Sequence, residues 1–421
     1  MSLTSPVRPT VVSLLAQIAD VGLEHDGYRR LVHSDAEIEC RAWFVEHAIG
    51  LGLDVETDRN GNLWAWWGHD LPGSVLAIGS HLDSVPGGGA FDGPLGVAAA
   101  LDAVALLRAE GWTPTRPLAV VVFADEEGGR FGIACAGSRL LTGVLEPDRA
   151  RALTDVDGVT MAQAAARAGQ DPALLGAEPQ RVARLGAYLE VHVEQGHAPV
   201  VGGCHAGAAG LAAAGVPVGL VSEIWPHGRW RIDLHGQANH AGTTPLHLRH
   251  DPMLGLARAV LEVRAAAERH GVLATVGKVL VEPGAVNAIP TGATLWVDAR
   301  GADAERVHAA VRDVEEVAGV GAVLESWTAS TTFDAGLAAV LQAPIAAALT
   351  QLGVDEIPLL PTGAGHDAGI LAQAGVPTAM ILVRNVTGIS HAPGEHADDA
   401  DCLAGAAALA AAVRSQPGAD A

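Results

Sequence analysis

Four stretches of this chain end an apolar run in side chains that can bind a metal ion. The first is Gly79-Ser80-His81-Leu82-Asp83, followed by Phe91-Asp92-Gly93. On a strand, side chains alternate faces, so His81 and Asp83 point the same way. Asp83 can then hold the imidazole in the tautomer that leaves a nitrogen free for metal. Asp92 is a candidate to bridge two ions. An isolated His-x-Asp is common and decides nothing alone. The second stretch, residues 117–125, has the length and β-branched content of a buried parallel strand and closes in Glu126-Glu127. The third ends in His192, and the fourth, Thr378 to Val383, leads into Gly388-Ile389-Ser390-His391. In open α/β sheets, ligands gather outside the carboxyl ends of the strands, so the convergence of these segments points to one two-metal cluster.

The elements that must position these groups are legible in the apolar patterning. From about residue 10 to 215, helical stretches alternate with short apolar runs, the alanine-rich Val97 to Glu110 among them. This is the rhythm of βαβ units and a mostly parallel sheet. Between Val218 and Thr328, four strand-like runs (218–224, 229–234, 273–281, 293–299) and two helical ones (252–269, 304–318) suggest an inserted α+β domain. The expected fold is α/β: a mostly parallel-sheet catalytic domain with helices on both faces, discontinuous over 1–217 and 330–421. A lid or dimerisation domain spans 218–329.

Composition narrows the function. The 421 residues carry a formal net charge of -22, which excludes a nucleic-acid partner because phosphate binding needs clustered Lys and Arg. The lone lysine, Lys278, sits in Thr275-Val276-Gly277-Lys278-Val279, without the glycine and Ser/Thr of a P-loop, and in a strand-like run ill-suited to a Schiff base. Cys40, Cys135, Cys204 and Cys402 show no Cys-x-x-Cys spacing, which fits free thiols in a reducing cytoplasm. With no signal-like N-terminus and no uninterrupted apolar run of membrane-spanning length, no membrane association is expected.

With those residues assembled, the chain resembles the metal-dependent amidohydrolases that include N-carbamoyl-L-amino-acid hydrolase, allantoate amidohydrolase and β-ureidopropionase, relatives of co-catalytic zinc aminoacylases and carboxypeptidases. The resemblance covers nearly the whole chain. Beyond the motifs above it rests on His192-Val193-Glu194-Gln195-Gly196, Asn239-His240-Ala241-Gly242-Thr243-Thr244-Pro245, Val286-Asn287-Ala288-Ile289-Pro290 and Gly365-His366-Asp367. It implies one divalent ion held by His81, Asp92 and His192, and a second by Asp92, Glu127 and His391, as zinc, manganese, cobalt or nickel. Glu126 is left as the general base, and Asp83 supports the ligands. The resemblance further implies substrate-binding roles for His240, Asn287 and Arg300 in the inserted domain and for Gln195 and His366 in the catalytic one. Arg300, with Asn287, is the expected carboxylate clamp, because a planar guanidinium suits a bidentate pair. His205, His227, His235, His247, His250, His270 and His308 are given no role.

The chemistry implied is hydrolysis of a linear, non-peptide C–N bond. Two ions bridged by a carboxylate and a hydroxide activate water and polarise the scissile carbonyl, while a nearby carboxylate shuttles the proton to the departing nitrogen. The expected substrate is a small carboxylate-bearing molecule, an N-carbamoyl-L-amino acid or allantoate, and the expected assembly is a homodimer through the inserted domain. An N-formyl- or N-acyl-amino-acid deacylase or a dipeptidase shares every metal ligand and differs only in the pocket. A non-catalytic metal-binding interaction protein would lack a ligand or the base, and none is missing here.

Overall fold

The computed structural model describes residues 8–201 and 203–416. They form two compact units, Glu223–Thr331 and the remainder.

The larger unit is built on one mixed sheet. Its centre is four parallel strands in the order Thr378–Val383, Leu185–Val193, Val75–His81 and Leu118–Phe123. Antiparallel strands extend both sides: Val218–Ile224 beside Thr378–Val383, and Leu63–Trp67 then Asp54–Thr57 beyond Leu118–Phe123. The four central strands are buried along almost their whole length, as parallel strands covered on both faces must be. Leu118, Val120 and Val122 enter the main core with Ala187, Leu189 and Val191, against the helices Pro94–Ala109 and Asp399–Ser415. The alternate residues Tyr188, His192 and Phe123 belong to the opposite face by the period of two.

One detail of the large sheet differs from the expectations drawn from sequence. Val218–Ile224, expected in the insertion, pairs instead with Thr378–Val383 in the large sheet, and the smaller unit begins at Glu223. A short apolar strand reads the same from sequence whichever sheet it joins; only its partner decides. Among the described residues, Ala335–Leu352 is long and apolar enough to cross a membrane, with a mean hydropathy of 1.5. Gln342 and Pro344 interrupt it, and its Leu341, Ile345 and Leu349 pack into the main core.

The smaller unit is a four-stranded antiparallel sheet in the order Leu273–Glu282, Gly292–Arg300, His227–His235 and Val323–Thr328. Val323–Thr328 is not among the strands expected from sequence, because its exposed residues leave no alternation to read. The helices Pro252–His270 and Ala304–Ala318 bury Leu256, Ala259, Val263, Val307 and Val311 against Ile232, Leu295 and Val297. Beyond the end of this sheet at His235 and Gly292 the two chain segments stay paired: Gly236 donates to the Thr291 carbonyl, and Asn239-His240 ladder with Ala288-Ile289. His240 and Asn287 therefore share one tip, joined by the Ala241 N–H to the Asn287 carbonyl at 3.0 Å.

Candidate metal centre

All four central strands run parallel, so their carboxyl ends share one edge, and the metal-type side chains leave from that edge. His81 is the last residue of its strand, His192 the last but one, Glu126 and Glu127 follow Phe123, and His391 lies in the loop after Val383. Asp92 arrives from the loop between Val75–His81 and the helix that starts at Pro94. Gly93 caps that helix at a φ of 85°, and a Cβ there would lie 2.4 Å from the His81 ring. Glycine is thus needed both for the backbone and to admit the imidazole.

The structure brings together two groups of ligand-type atoms, His81 with Asp92 and His192, and Asp92 with Glu127 and His391, each lying within 4.8 Å of one another. Asp92 belongs to both. Its Oδ1 is 3.1 Å from His192 Nε2 and 3.8 Å from His81 Nε2, while its Oδ2 is 3.3 Å from His391 Nε2. Glu127 Oε2 is 3.3 Å from that same nitrogen.

The donor set fits metal ions. His81 Nδ1 contacts the Asp83 carbonyl at 3.1 Å, and His192 Nδ1 the Val193 carbonyl at 2.9 Å. A carbonyl only accepts, so each Nδ1 carries the proton and each Nε2 is free to turn a lone pair toward Asp92. Buried His81 Nε2, His192 Nε2 and Glu127 Oε1 have no hydrogen-bond partner. Acceptor facing acceptor in a buried site calls for a cation between them, either a proton or a metal. The protonation balance agrees. Burial works against the His391 cation, yet Asp92 and Glu127 carry its pKa up to about 9. Burial and then Asp92 lift the Glu127 carboxyl to about 7. Burial also opposes the His81 cation, but Glu126 and Asp83 outweigh it and hold the group well above its usual value.

Glu126 stands beside these groups but belongs to neither. Its Oε2 is 3.8 Å from His81 Nε2 and its Oε1 3.6 Å from His366 Nδ1. Burial, reinforced by Glu127 and Asp367 against the pull of His81, pushes its carboxyl well above the ordinary range. His366 is buried, with its ring centroid 4.4 Å from that of His192. Burial and the neighbouring His192 hold it neutral. It occupies the N-cap position of the helix Asp367–Gln373 without a side-chain cap, and Asp367 turns inward to Ser138.

Three expectations change in detail. Asp83 holds His81 mainly through its backbone carbonyl; its carboxylate, 3.6 Å from Nδ1, accepts the N–H groups of Glu126 and Glu127 at 3.1 Å each. It fixes the turn that presents base and ligand together. Gln195, expected at the substrate, donates to Asp92 Oδ2 at 2.9 Å and to Ser390 Oγ at 3.0 Å. Arg300 and Asn287 of one chain do not meet to form a clamp. Asn287 lies beyond the first residue of Gly292–Arg300 and Arg300 is its last, so at ~3.3 Å per residue roughly 26 Å of strand separates them. Arg300 also pairs with Asp298, at 2.8 Å from Nε.

Three further residues of the large unit hold the site together without being among the ligands or substrate-binding residues expected from sequence. Asn385 is fully buried and ties the Glu194 and Ile389 carbonyls together through Nδ2, while its Oδ1 accepts from Thr387 and Gly388. It clips the His391 loop to the end of the His192 strand. Ser390 and Glu395 flank His391 and reach the Asp92 loop. A carboxylate four residues after a ligand-type histidine is the one available hint.

The similarities to known proteins follow the same geometry. Residues 77–415 match the model of peptidase family M20/M25/M40. The chain is 34% identical to the N-carbamoyl-L-amino acid amidohydrolase of Geobacillus stearothermophilus, covering 94% of this chain and 95% of that protein. It is 30% identical to the allantoate amidohydrolase of Escherichia coli, covering 91% and 92%. A solved amidase of the hydantoinase/carbamoylase family from Burkholderia vietnamiensis superposes with a TM-score of 0.83 at 31% identity, covering 98% of both chains. The chain therefore belongs to peptidase family M20/M25/M40 and is a hydrolase of non-peptide C–N bonds.

Proposed function

We propose that this enzyme binds two divalent ions, one at His81, Asp92 and His192 and one at Asp92, Glu127 and His391, and hydrolyses the ureido group of a small carboxylate such as an N-carbamoyl-L-amino acid or allantoate. The observation that carries the metal reading is Asp92 shared between two groups, in which the buried nitrogens of His81 and His192 on one side and a buried oxygen of Glu127 on the other lack partners. The substrate class rests on relatives named for N-carbamoyl-L-amino acids and allantoate over nine-tenths of the chain. When bound, the ions supply Lewis-acid polarisation of the scissile carbonyl and favour ionisation of water. Glu126 takes the proton of the attacking water on a carboxylate oxygen and returns it to the departing nitrogen, a shuttle suited to a carboxyl held above its ordinary range. Neutral His366, adjacent to Glu126 Oε1, is the polar group available to the substrate carbonyl. The four cysteines are unpaired, in keeping with a reducing cytoplasm.

The test is turnover of metal-reconstituted enzyme on allantoate, several N-carbamoyl-L-amino acids and an N-formyl-amino acid, following ammonia and free amine. Ureido hydrolysis releases ammonia, and deacylation does not. Good deacylation with no ammonia from any ureido compound overturns the substrate reading in favour of a deacylase.

The reading includes a homodimer through the smaller unit. Leu273–Glu282 is an edge strand, and its Val279 and Leu280 are exposed, as are Leu254 and Leu261 on Pro252–His270. A long apolar edge beside an apolar helix face is a ready surface for a second copy. Arg300 and the His240–Asn287 tip, at opposite ends of one sheet, are too far apart to hold the same small acid, so the tip serves the other copy. Mixing Glu126→Gln with His240→Ala subunits tests this. Each homodimer is impaired, while a mixed dimer contains one intact site, restoring about a quarter of wild-type activity in a statistical mixture. If His240 serves its own copy, mixing restores nothing.

A further inference from the structure

The two candidate ion sites are not equally supported. His81, Asp92 and His192 are all buried, on strand ends or beside them. In the second group Glu127 is partly buried and His391 is half-exposed, with a left-handed backbone at a φ of 55° in a loop. A non-glycine residue holds that conformation only where its surroundings enforce it.

The enforcing contacts converge on Glu395, which is only 5% exposed. Its Oε1 accepts the backbone N–H groups of Phe91 at 2.8 Å and Asp92 at 2.9 Å. Its Oε2 lies 3.0 Å from the hydroxyl of Ser390, the residue before His391. One carboxylate thus ties the loop of Asp92 to the loop of His391, across some three hundred residues of chain. The fold makes room for it at Gly89, where a Cβ would lie 2.2 Å from Oε1. Gly89 is outside the left-handed region, so its backbone suits any residue and only space demands glycine there.

We propose that Glu395 is a positioning residue for the second metal ion, setting the affinity of the Asp92–Glu127–His391 site by holding Asp92 and His391 in register. The inference rests on the two-metal reading above. Neither Ser390 nor Glu395 belongs to either ligand group; they act on the ligands' backbones and on the angle of the shared carboxylate. Groups of this kind are worth roughly 10- to 100-fold in metal affinity.

The experiment is titration of the full-length protein with Zn2+ in chelator-buffered solutions, counting bound zinc per chain for wild type, Glu395→Ala, Glu395→Gln, Gly89→Ala and Ser390→Ala. Wild type is expected to bind in two steps. Glu395→Ala weakens the second step by about 10- to 100-fold and the first by much less, since Asp92 serves both groups but His391 only one, and Glu395→Gln, whose amide oxygen still accepts both N–H groups, recovers most of the loss. Gly89→Ala, which leaves Glu395 in place but displaces it, reproduces the selective loss and covers the case in which Glu395→Ala does not fold. Two unchanged steps in Glu395→Ala or Gly89→Ala overturn the inference, as does equal weakening of both steps, the mark of a merely structural role. Failure of wild type to bind a second ion defeats the two-metal reading instead.

Discussion

Replacing Glu126 with glutamine lowers kcat by about a thousandfold while the enzyme keeps both metal ions and its fold. Glu126 lies outside both ligand groups, so its loss removes no donor. Glutamine matches the carboxylate in shape and fills the same buried space, but it cannot take a proton from water. General base catalysis by a positioned side chain is worth roughly 10²–10⁴-fold, which sets the expected size. The measurement is kcat and KM beside metal content per chain. A fully metallated Glu126→Gln enzyme with its full rate would falsify the assignment of the base.

Replacing Asp92 with alanine removes both ions at once, and activity falls to background. Asp92 alone belongs to both groups, with one oxygen toward His81 and His192 and the other toward His391. His391→Ala, by contrast, removes a ligand of one group only and leaves one ion per chain. Lewis-acid stabilisation supplies several kcal/mol to such reactions, so the loss for Asp92→Ala is on the order of 10³-fold or more. Bound metal per chain checks the pair of variants directly. Retention of one tightly bound ion by Asp92→Ala would show that the two groups do not share this carboxylate.

Much of the site is legible without coordinates. An apolar run that stops at histidine or paired glutamates is readable because a buried parallel strand must be apolar throughout and must end at the polar edge where ligands gather. Helices such as Ala304–Ala318 are equally plain, since a one-sided apolar stripe of period 3.6 fits a helix packed by one face and no strand. Val323–Thr328 is hidden, because an exposed edge strand lacks that contrast.

The role of Gln195 is also hidden. An amide in a loop gives no sign of whether it faces a ligand or a neighbouring carboxylate, and here it is Asp92 that it meets. Glu395 reads as an ordinary surface acid. Only the approach of the 385–395 loop to residues 89–92 turns it into a buried acceptor of two backbone N–H groups.

By itself, the amino-acid sequence determined which side chains could bind metal, that they lie at strand ends, and that a second unit interrupts the first. Those features are set by local pattern: apolar content, periodicity and residue type. The tertiary structure decided which groups meet: that Asp83 spends its carboxylate on the Glu126-Glu127 turn, that Arg300 and Asn287 lie at opposite ends of one sheet, and that Glu395 joins two distant loops. Such relations depend on strand register and on the closure of chain segments far apart in sequence, and no local pattern encodes either.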